Sequence, residues 1–537
     1  MNSAVLEKEV LAMYDVRGIQ KYIFKTNYLK EVIGGSIIVD DIIIGGIRRY
    51  ISENVSDEEK SLYMTEWKTD DPKAFLEKDS AVLLQVMFVG GGNAYVLYRN
   101  GALCSKVNKF LGKYVLEKTY SLNVAVAVVE KTDSYLQDYK AINAVMIQNK
   151  AEMPSSMPSG AFPFVETDSI TGQPVSYKNP YVLDSEKELC TESFEKRKAV
   201  AEMIKRTGEQ VDDRILDNFV TGKGDNSTLA LIHLDGNNLG KRIMRIMKDV
   251  EDYPTAIRKM RNISKGIDDT FKNTFYEMTQ WMDSKTQYFP NAGKKYRAVV
   301  VAGDDITFIC NPKLALGAVK YFLEKLNGKN ADFMKTQEER EPIFTACAGI
   351  AYFQSHFPFS DAYQVAESCC ESAKKRAKSK DCSVQGIDQL VGNFIDYQMC
   401  TNINASNLDV YREKHYKVDG AYFIHRPYYV NVKRDKGLNA KNANYSIDNL
   451  LEKLDILTMK KSYDDHGGIL QAETPRSLAK EIRSVITQGD NEIKKEITFL
   501  QSRKYNRFDS LLEEKSVWYD ACELMDFKLP EDKGVTR

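Results

Sequence analysis

The stretch Arg297–Cys310, RAVVVAGDDITFIC, decides how the chain is read. An apolar run from Ala298 to Val301 meets Ala302–Gly303–Asp304–Asp305, and a second apolar run, Ile306 to Cys310, follows. Two β-branched-rich runs around a Gly/Asp turn predict a tight β-hairpin. Its tip carries two adjacent carboxylates between apolar strands. Asp is also a good turn residue, so the hairpin alone leaves open whether these acids form a turn or do chemistry.

The sequence around the hairpin bears on that choice. Leu229–Leu234 reads as a strand ending at Asp235, then a turn, Gly236–Asn237–Asn238–Leu239–Gly240, and a helix from Lys241 to Met247. After the hairpin, Leu314–Leu326 reads as a helix, Ile343–Ala351 as a strand and Pro358–Ala377 as a helix. The same order occurs earlier. Leu11–Val16 is a strand holding Asp15, Ile19–Tyr28 has helical spacing, and Ala81–Asn100 is a second hairpin with Gly90–Gly91–Gly92–Asn93 at its tip. Gly101–Tyr120, Leu122–Val129 and Leu136–Met153 complete it as helix, strand and helix. DVRGIQKYI parallels DGNNLGKRI, and VGGGNAYVLY parallels VAGDDITFIC, so the chain contains an internal repeat.

Each pass matches the ferredoxin-like βαββαβ order. The expected fold is α+β: two tandem ferredoxin-like palm or nucleotide-cyclase domains plus an α-rich C-terminal domain. The expected divisions are 1–153 for a first, degenerate palm, 154–222 for a linker or small inter-palm domain, 223–390 for a second, catalytic palm and 391–537 for the C-terminal domain.

Composition narrows the class. The 537 residues are 43% hydrophobic, enough for about three or four domains with sizeable cores. A net charge of −1 announces no nucleic-acid partner in bulk. Nine Cys without a CxxC pair point to core thiols in a reducing compartment. The most apolar early run, Val32–Ile47, is broken by Gly34–Gly35, Asp40–Asp41 and Gly45–Gly46 and is too short to span a bilayer. No signal peptide is evident, so the expectation is a cytoplasmic protein with no membrane partner.

Phosphoryl chemistry at a palm uses two divalent ions about 3.5–4 Å apart, held by hard oxygen ligands. In a βαββαβ sheet the end of the first strand lies beside the central hairpin, which places Asp235 next to Asp304 and Asp305. Gly303 would let a phosphate-bearing ligand approach the backbone. The turn Gly236–Gly240, with Asn238, would offer N–H groups at a helix start. Lys374 and Lys375 could reach a triphosphate as point charges, although taken alone a solvated helix face explains them better. Asp235 could likewise be a helix N-cap. The repeat makes several such accidents in one place less economical than a metal site. The first palm has Gly92 and Asn93 where the second has its two acids.

These pieces together resemble the large polymerase-like subunit of type III CRISPR effector complexes, whose first palm is degenerate and whose second carries a GGDD hairpin. The matching stretches are DVRGIQKYIF, LKEVIGGS and VGGGNAYVLY in the first palm, and LIHLDGNNLGKRI, AGDD and AGIAYFQSHFPFSDAYQVAESCCESAKKRAKS in the second. The resemblance covers most of residues 8–433. It implies that Asp235, Asp304 and Asp305 bind two Mg²⁺ or Mn²⁺ ions and that Lys374 helps hold a triphosphate. It also implies that Gly34, Gly35, Ser36, Gly91, Gly92 and Asn93 help hold a second nucleotide. The implied reaction is 3′–5′ phosphodiester formation from nucleoside triphosphates, ATP favoured, giving cyclic oligoadenylate messengers in antiviral defence. Implied partners are crRNA-containing effector subunits or an activating RNA.

The sequence also departs from the family. The hairpin is AGDD, and Ala302 is tolerable if its φ is negative. No HD nuclease precedes the palm and none of the five His is followed by Asp, so DNA cleavage by that route is not expected. A stand-alone synthase fits as well as a complex subunit. TDSITGQPVS resembles the family's zinc-binding turn, but Asp168 stands where a Cys is expected and the nearest Cys is Cys190, so no zinc is expected. Two other readings stay open: a catalytically silent scaffold subunit, and a diguanylate-cyclase-like homodimer. Base choice, product length, activator and oligomeric state are not legible.

Overall fold

A computed structural model describes residues 7–529 apart from 27, 91, 154–162, 169–170, 179–187, 209–226, 286–287, 289–294, 336–341, 387–388, 402–406, 434, 460–461, 464–468, 472–473 and 504. The first palm is built on β1 (Val10–Arg17), with helices α1 (Ile19–Ile23) and α2 (Leu29–Asn54) following it. A short edge strand β2 (Tyr63–Met64) precedes the hairpin β3 (Leu84–Gly90) and β4 (Asn93–Tyr98). Helix α3 (Gly101–Thr119), strand β5 (Asn123–Glu130) and helix α4 (Tyr135–Glu152) complete the domain. The sheet order is β2-β3-β4-β1-β5, with β1 antiparallel to both β4 and β5. That is the ferredoxin-like order with one added edge strand.

The inter-palm segment carries β6 (Val175–Lys178), β7 (Glu188–Cys190) and α5 (Thr191–Thr207). Within the segment expected as a linker or small inter-palm domain, α5 packs on α2 of the first palm. Buried Arg197 and Glu31 join the two helices at 2.8 Å.

The second palm repeats the plan. It runs β8 (Thr228–Gly236), α6 (Leu239–Met247), α7 (Tyr253–Ser284), β9 (Tyr296–Ala302), β10 (Asp305–Cys310), α8 (Pro312–Leu326), β11 (Ala346–Gln354) and α9 (Phe359–Lys378). The order β9-β10-β8-β11 matches the first palm, but the sheet continues through β12 (Asn393–Met399) and β13 (Tyr428–Val430). Strand β12 runs parallel to β11 in continuous register. The boundary expected at 390 therefore falls inside a sheet. Beyond it the chain is mainly helical, as expected.

Side chains alternate across β8. Ala230, Ile232 and Leu234 join a core with Phe271 and Phe275 of α7 and Val319 and Phe322 of α8. Leu229 and Leu231 face the other way, into a core shared with Tyr363 of α9 and with Val32 and Ile47 of α2. That second core spans both palms.

The palms also clasp each other reciprocally. Helix α2 lies on β9, and α7 lies on β3. From α7, Arg261 donates to the carbonyls of Val86 and Met87 and Ser264 to that of Val89. The two βαββαβ units are thus arranged face to face with pseudo-two-fold reciprocity.

Candidate functional site

The site forms on the β8 face that looks toward α9 and the first palm. Asp235 and Asp305 are Cα partners across the β8–β10 ladder. Asp305 also pairs with Ala302, leaving Gly303 and Asp304 as a two-residue turn. Gly303 has φ +59°, a left-handed conformation that a β-carbon disfavours. The N–H of Gly303 points to Asp268 Oδ1 on α7 at 3.4 Å. Asp304 lies against the end of β8: a β-carbon on Gly236 would stand 3.0 Å from the Asp304 Cβ. Gly236 is needed so that the strand end can approach the hairpin.

The three carboxylates crowd one recess. Burial, followed by the charge of Asp235, raises both Asp304 and Asp305 to about 7. Asp305 Oδ2 accepts a hydrogen bond from Gln20 Nε2 of the first palm at 2.9 Å. Its Oδ1 is buried and makes no hydrogen bond, with His233 Nδ1 3.5 Å away. Burial lowers the pKa of His233, which shares a 3.1 Å contact with Thr307. Lys374 of α9 meets Asp235 Oδ2 directly. Burial works against the lysine's charge, but Asp235 outweighs it and raises its pKa. Two turns earlier on the same face of α9, Glu367 has its pKa raised by burial. Among the described residues Lys374 is the cation paired in this cluster, and no three His, Cys, Asp or Glu side chains are preset as a metal-ligand group.

Asp235, Asp304, Asp305, Gly236, Gly303 and Lys374 are therefore brought together. Asn238 opens α6 in the left-handed region, and its Nδ2 donates to the Gln389 carbonyl at 3.2 Å. The N–H of Asn237 donates to the Thr345 carbonyl at 2.9 Å, so this part of the expected N–H cradle is already used. Lys375 is exposed and faces Asp409, consistent with a solvated helix face.

Gly34 and Gly35 sit at helix-packing contacts. A β-carbon on Gly34 would meet the Lys196 carbonyl oxygen at 1.9 Å, and one on Gly35 would lie 3.3 Å from Ile23 Cα. These glycines let α2 pack closely on α5 and α1. Ser36 follows them on α2, half-buried. Gly92 and Asn93 form the first hairpin's tip, with Gly92 at φ +77° and Asn93 paired with Asp15. Gly91 lies outside the described residues. Gln20, His233 and Glu367 were not anticipated. Only the alignment of Gln20 with Gly240 in the repeat offered a signal for the first.

Residues 228–384 match a family model described as Cas10/Cmr2, second palm domain. No curated protein matches the chain. Two solved structures share the fold. One is a Csm1–Csm4 cassette in complex with cA4, at 13% identity and TM-score 0.52, covering 98% of this chain and 70% of that one. The other is a Csm1–Csm4 cassette in complex with pppApA, at 12% identity and TM-score 0.50, again covering 98% and 70%. The fold is that of a protein with two tandem palm domains. Within that class the chain is Cas10-like, similar to the Cas10/Cmr2 second palm over residues 228–384.

Proposed function

We propose that this chain is a metal-dependent nucleotidyltransferase that joins nucleoside triphosphates, ATP favoured, into cyclic oligonucleotides. The observation that carries this reading is the register of Asp235 with Asp305 beside Asp304, in a recess that lifts both hairpin carboxyls to about 7. Such a cluster is under-compensated by Lys374 alone. The buried, unbonded Oδ1 of Asp305 and the hard oxygen set fit divalent cations, Mg²⁺ or Mn²⁺, held by Asp235, Asp304 and Asp305. Bound there, such ions supply charge stabilisation to the attacking and leaving oxygens.

The chain's own groups do the rest. In the reaction a ribose 3′-hydroxyl loses its proton to solvent, its oxygen bonds to the α-phosphorus of a second nucleotide, and the bond from that phosphorus to the α–β bridging oxygen breaks to release pyrophosphate. Lys374 carries positive charge toward the phosphates, and Gly303 and Gly236 keep the backbone close to them without side chains. The Csm1–Csm4 structures in complex with cA4 and pppApA support oligoadenylate as the product class and effector subunits as partners. The two palms within one chain supply both nucleotide sites, so a homodimer is not needed.

The test is pyrophosphate release and product mass spectrometry from an ATP, GTP, CTP and UTP mixture with Mn²⁺, with and without activating RNA. Oligoadenylate formation that vanishes in Asp304→Ala with Asp305→Ala is expected. An absence of pyrophosphate under every condition refutes the reading.

A further inference from the structure

Helix α6 separates two environments. Met247 packs on the side shared with Met13 and Tyr95 of the first palm. The other side, with the turn that precedes the helix, borders a cavity of about 260 Å³. Among the described residues, none from the first palm lines it, and neither do Asp235, Asp304, Asp305 or Lys374. It is a separate space behind the turn that leads from Asp235 into α6. Lys241, Arg242 and Arg245 of α6 form one wall, Lys241 exposed and the two arginines half-buried. Arg242 is held in place by donation from its Nε to the Met334 carbonyl at 2.9 Å. Burial, then the charge of Arg245, lowers the pKa of Arg242, so the two guanidiniums stand close together. Residues three apart on a helix are neighbours, and a phosphate set between two guanidiniums is bonded by both.

The opposite wall is apolar. Met334, Phe344 and Val391 are buried there, and Ile343 and Leu390 are half-buried. Asn238 Nδ2 ties the turn to the Gln389 carbonyl at 3.2 Å, so this wall is set in place by the chain itself. Asn237 also lines the cavity and is only 7% exposed. Its Nδ2 donates to Thr345 Oγ1 at 3.2 Å and to the Gly392 carbonyl at 3.0 Å, which fixes the orientation of the amide. Its Oδ1 is buried and accepts no hydrogen bond. A buried acceptor left unpaired is costly, so a cavity with cations at one wall lacks a donor at Asn237.

We infer that this cavity binds a small sugar phosphate, its phosphate among Lys241, Arg242 and Arg245 and a sugar hydroxyl donating to Asn237 Oδ1. An inorganic anion alone leaves Asn237 unpaired, and an uncharged sugar leaves the cations unused. Guanidinium groups suit phosphate geometry, and the C–H faces of a sugar suit the surface of Phe344 and Val391. The volume falls just below the roughly 300–1,000 Å³ of drug-sized pockets, which favours a ligand of this size over a whole nucleotide. The site involves neither the hairpin carboxylates nor a divalent ion, so it goes beyond the nucleotidyltransferase reading and does not depend on it.

The test titrates ribose 5-phosphate into the full chain in EDTA by isothermal calorimetry, beside ribose and inorganic phosphate. One equivalent of ribose 5-phosphate is expected to bind, about tenfold or more tighter than inorganic phosphate, and ribose alone is not expected to bind. Asp304→Ala with Asp305→Ala should leave this binding unchanged. Arg245→Ala should weaken it about tenfold or more, the worth of one charged hydrogen bond. Lys241→Glu, at an exposed position with little folding risk, should weaken it as well, and Lys241→Arg should retain it. No saturable binding of ribose 5-phosphate, equal affinity for inorganic phosphate, or binding that survives both Arg245→Ala and Lys241→Glu overturns the inference. Binding that disappears in Asp304→Ala with Asp305→Ala also overturns it, because the ligand then lies in the carboxylate recess.

Discussion

Gln20 of the first palm donates to Asp305 of the second across 2.9 Å, so a carboxylate in the proposed metal site depends on how the palms dock. This bond holds down the pKa of Asp305 against burial and the charge of Asp235. A hydrogen bond to a charged group contributes roughly 1.5–3 kcal/mol. Gln20→Leu should therefore cut pyrophosphate release at neutral pH on the order of tenfold. The lost donor leaves Asp305 protonated to higher pH, so the acid limb of the pH–rate profile should move upward and activity should partly recover in alkaline buffer. An unshifted profile would show that the bond is incidental.

The contact also marks where sequence reading stops. The repeat was legible because its two halves carry parallel motifs at Asp15 and Asp235 and at the two hairpin tips, and because a βαββαβ sheet has one strand order. Asp235 beside Asp305 follows from that order. Gln20 meets its partner 285 positions away in another domain, and no local pattern encodes that. Gly34 and Gly35 read as ligand glycines because a close backbone approach looks the same in sequence whether the neighbour is a nucleotide or a helix. The apolar alternation that begins at Val391 contains nothing that says β12 joins the sheet of the domain before it.

Gly236 at the end of β8 and Gly240 in the first turn of α6 are under opposite constraints. A β-carbon on Gly236 would stand 2.7 Å from Leu239 Cδ1 and 3.0 Å from Asp304 Cβ, while one on Gly240 meets nothing within 4 Å. Overpacking of this kind costs about 1–3 kcal/mol. Gly236→Ala should lower the melting temperature by several degrees and displace Asp304, with a loss of activity larger than the stability change explains. Gly240→Ala should instead gain up to about 1 kcal/mol from helix propensity. Calorimetry beside turnover measurements separates the two.

Gly34 offers a test of helix packing against ligand contact. Its missing side chain lets the Lys196 carbonyl approach to where a β-carbon would be 1.9 Å away. Gly34→Ala must push α2 and α5 apart and stretch the buried Arg197–Glu31 pair, which lies at 2.8 Å. The expected result is a destabilisation of at least about 1–3 kcal/mol in urea. The folded fraction should bind ATP analogues with wild-type affinity. Weakened binding at unchanged stability would return Gly34 to the nucleotide site.

The raised carboxyls make metal binding depend on protons. Asp304 and Asp305 ordinarily titrate near 3.8, and in this fold they are raised to about 7. Between those values the folded chain holds protons that the unfolded chain has released, so the metal-free protein loses stability as pH rises through that window. A cation binds the deprotonated form and displaces those protons. Apparent Mn²⁺ affinity should therefore climb from pH 5.5 to about 7 and level off above it, with proton release on binding in the lower range. Isothermal titration in two buffers of different ionisation enthalpy reads both effects. Asp304→Asn with Asp305→Asn should remove the pH slope of metal-free stability together with most Mn²⁺ binding. A slope that survives in this double variant would place the titrating groups elsewhere, with Glu367 and His233 next in line.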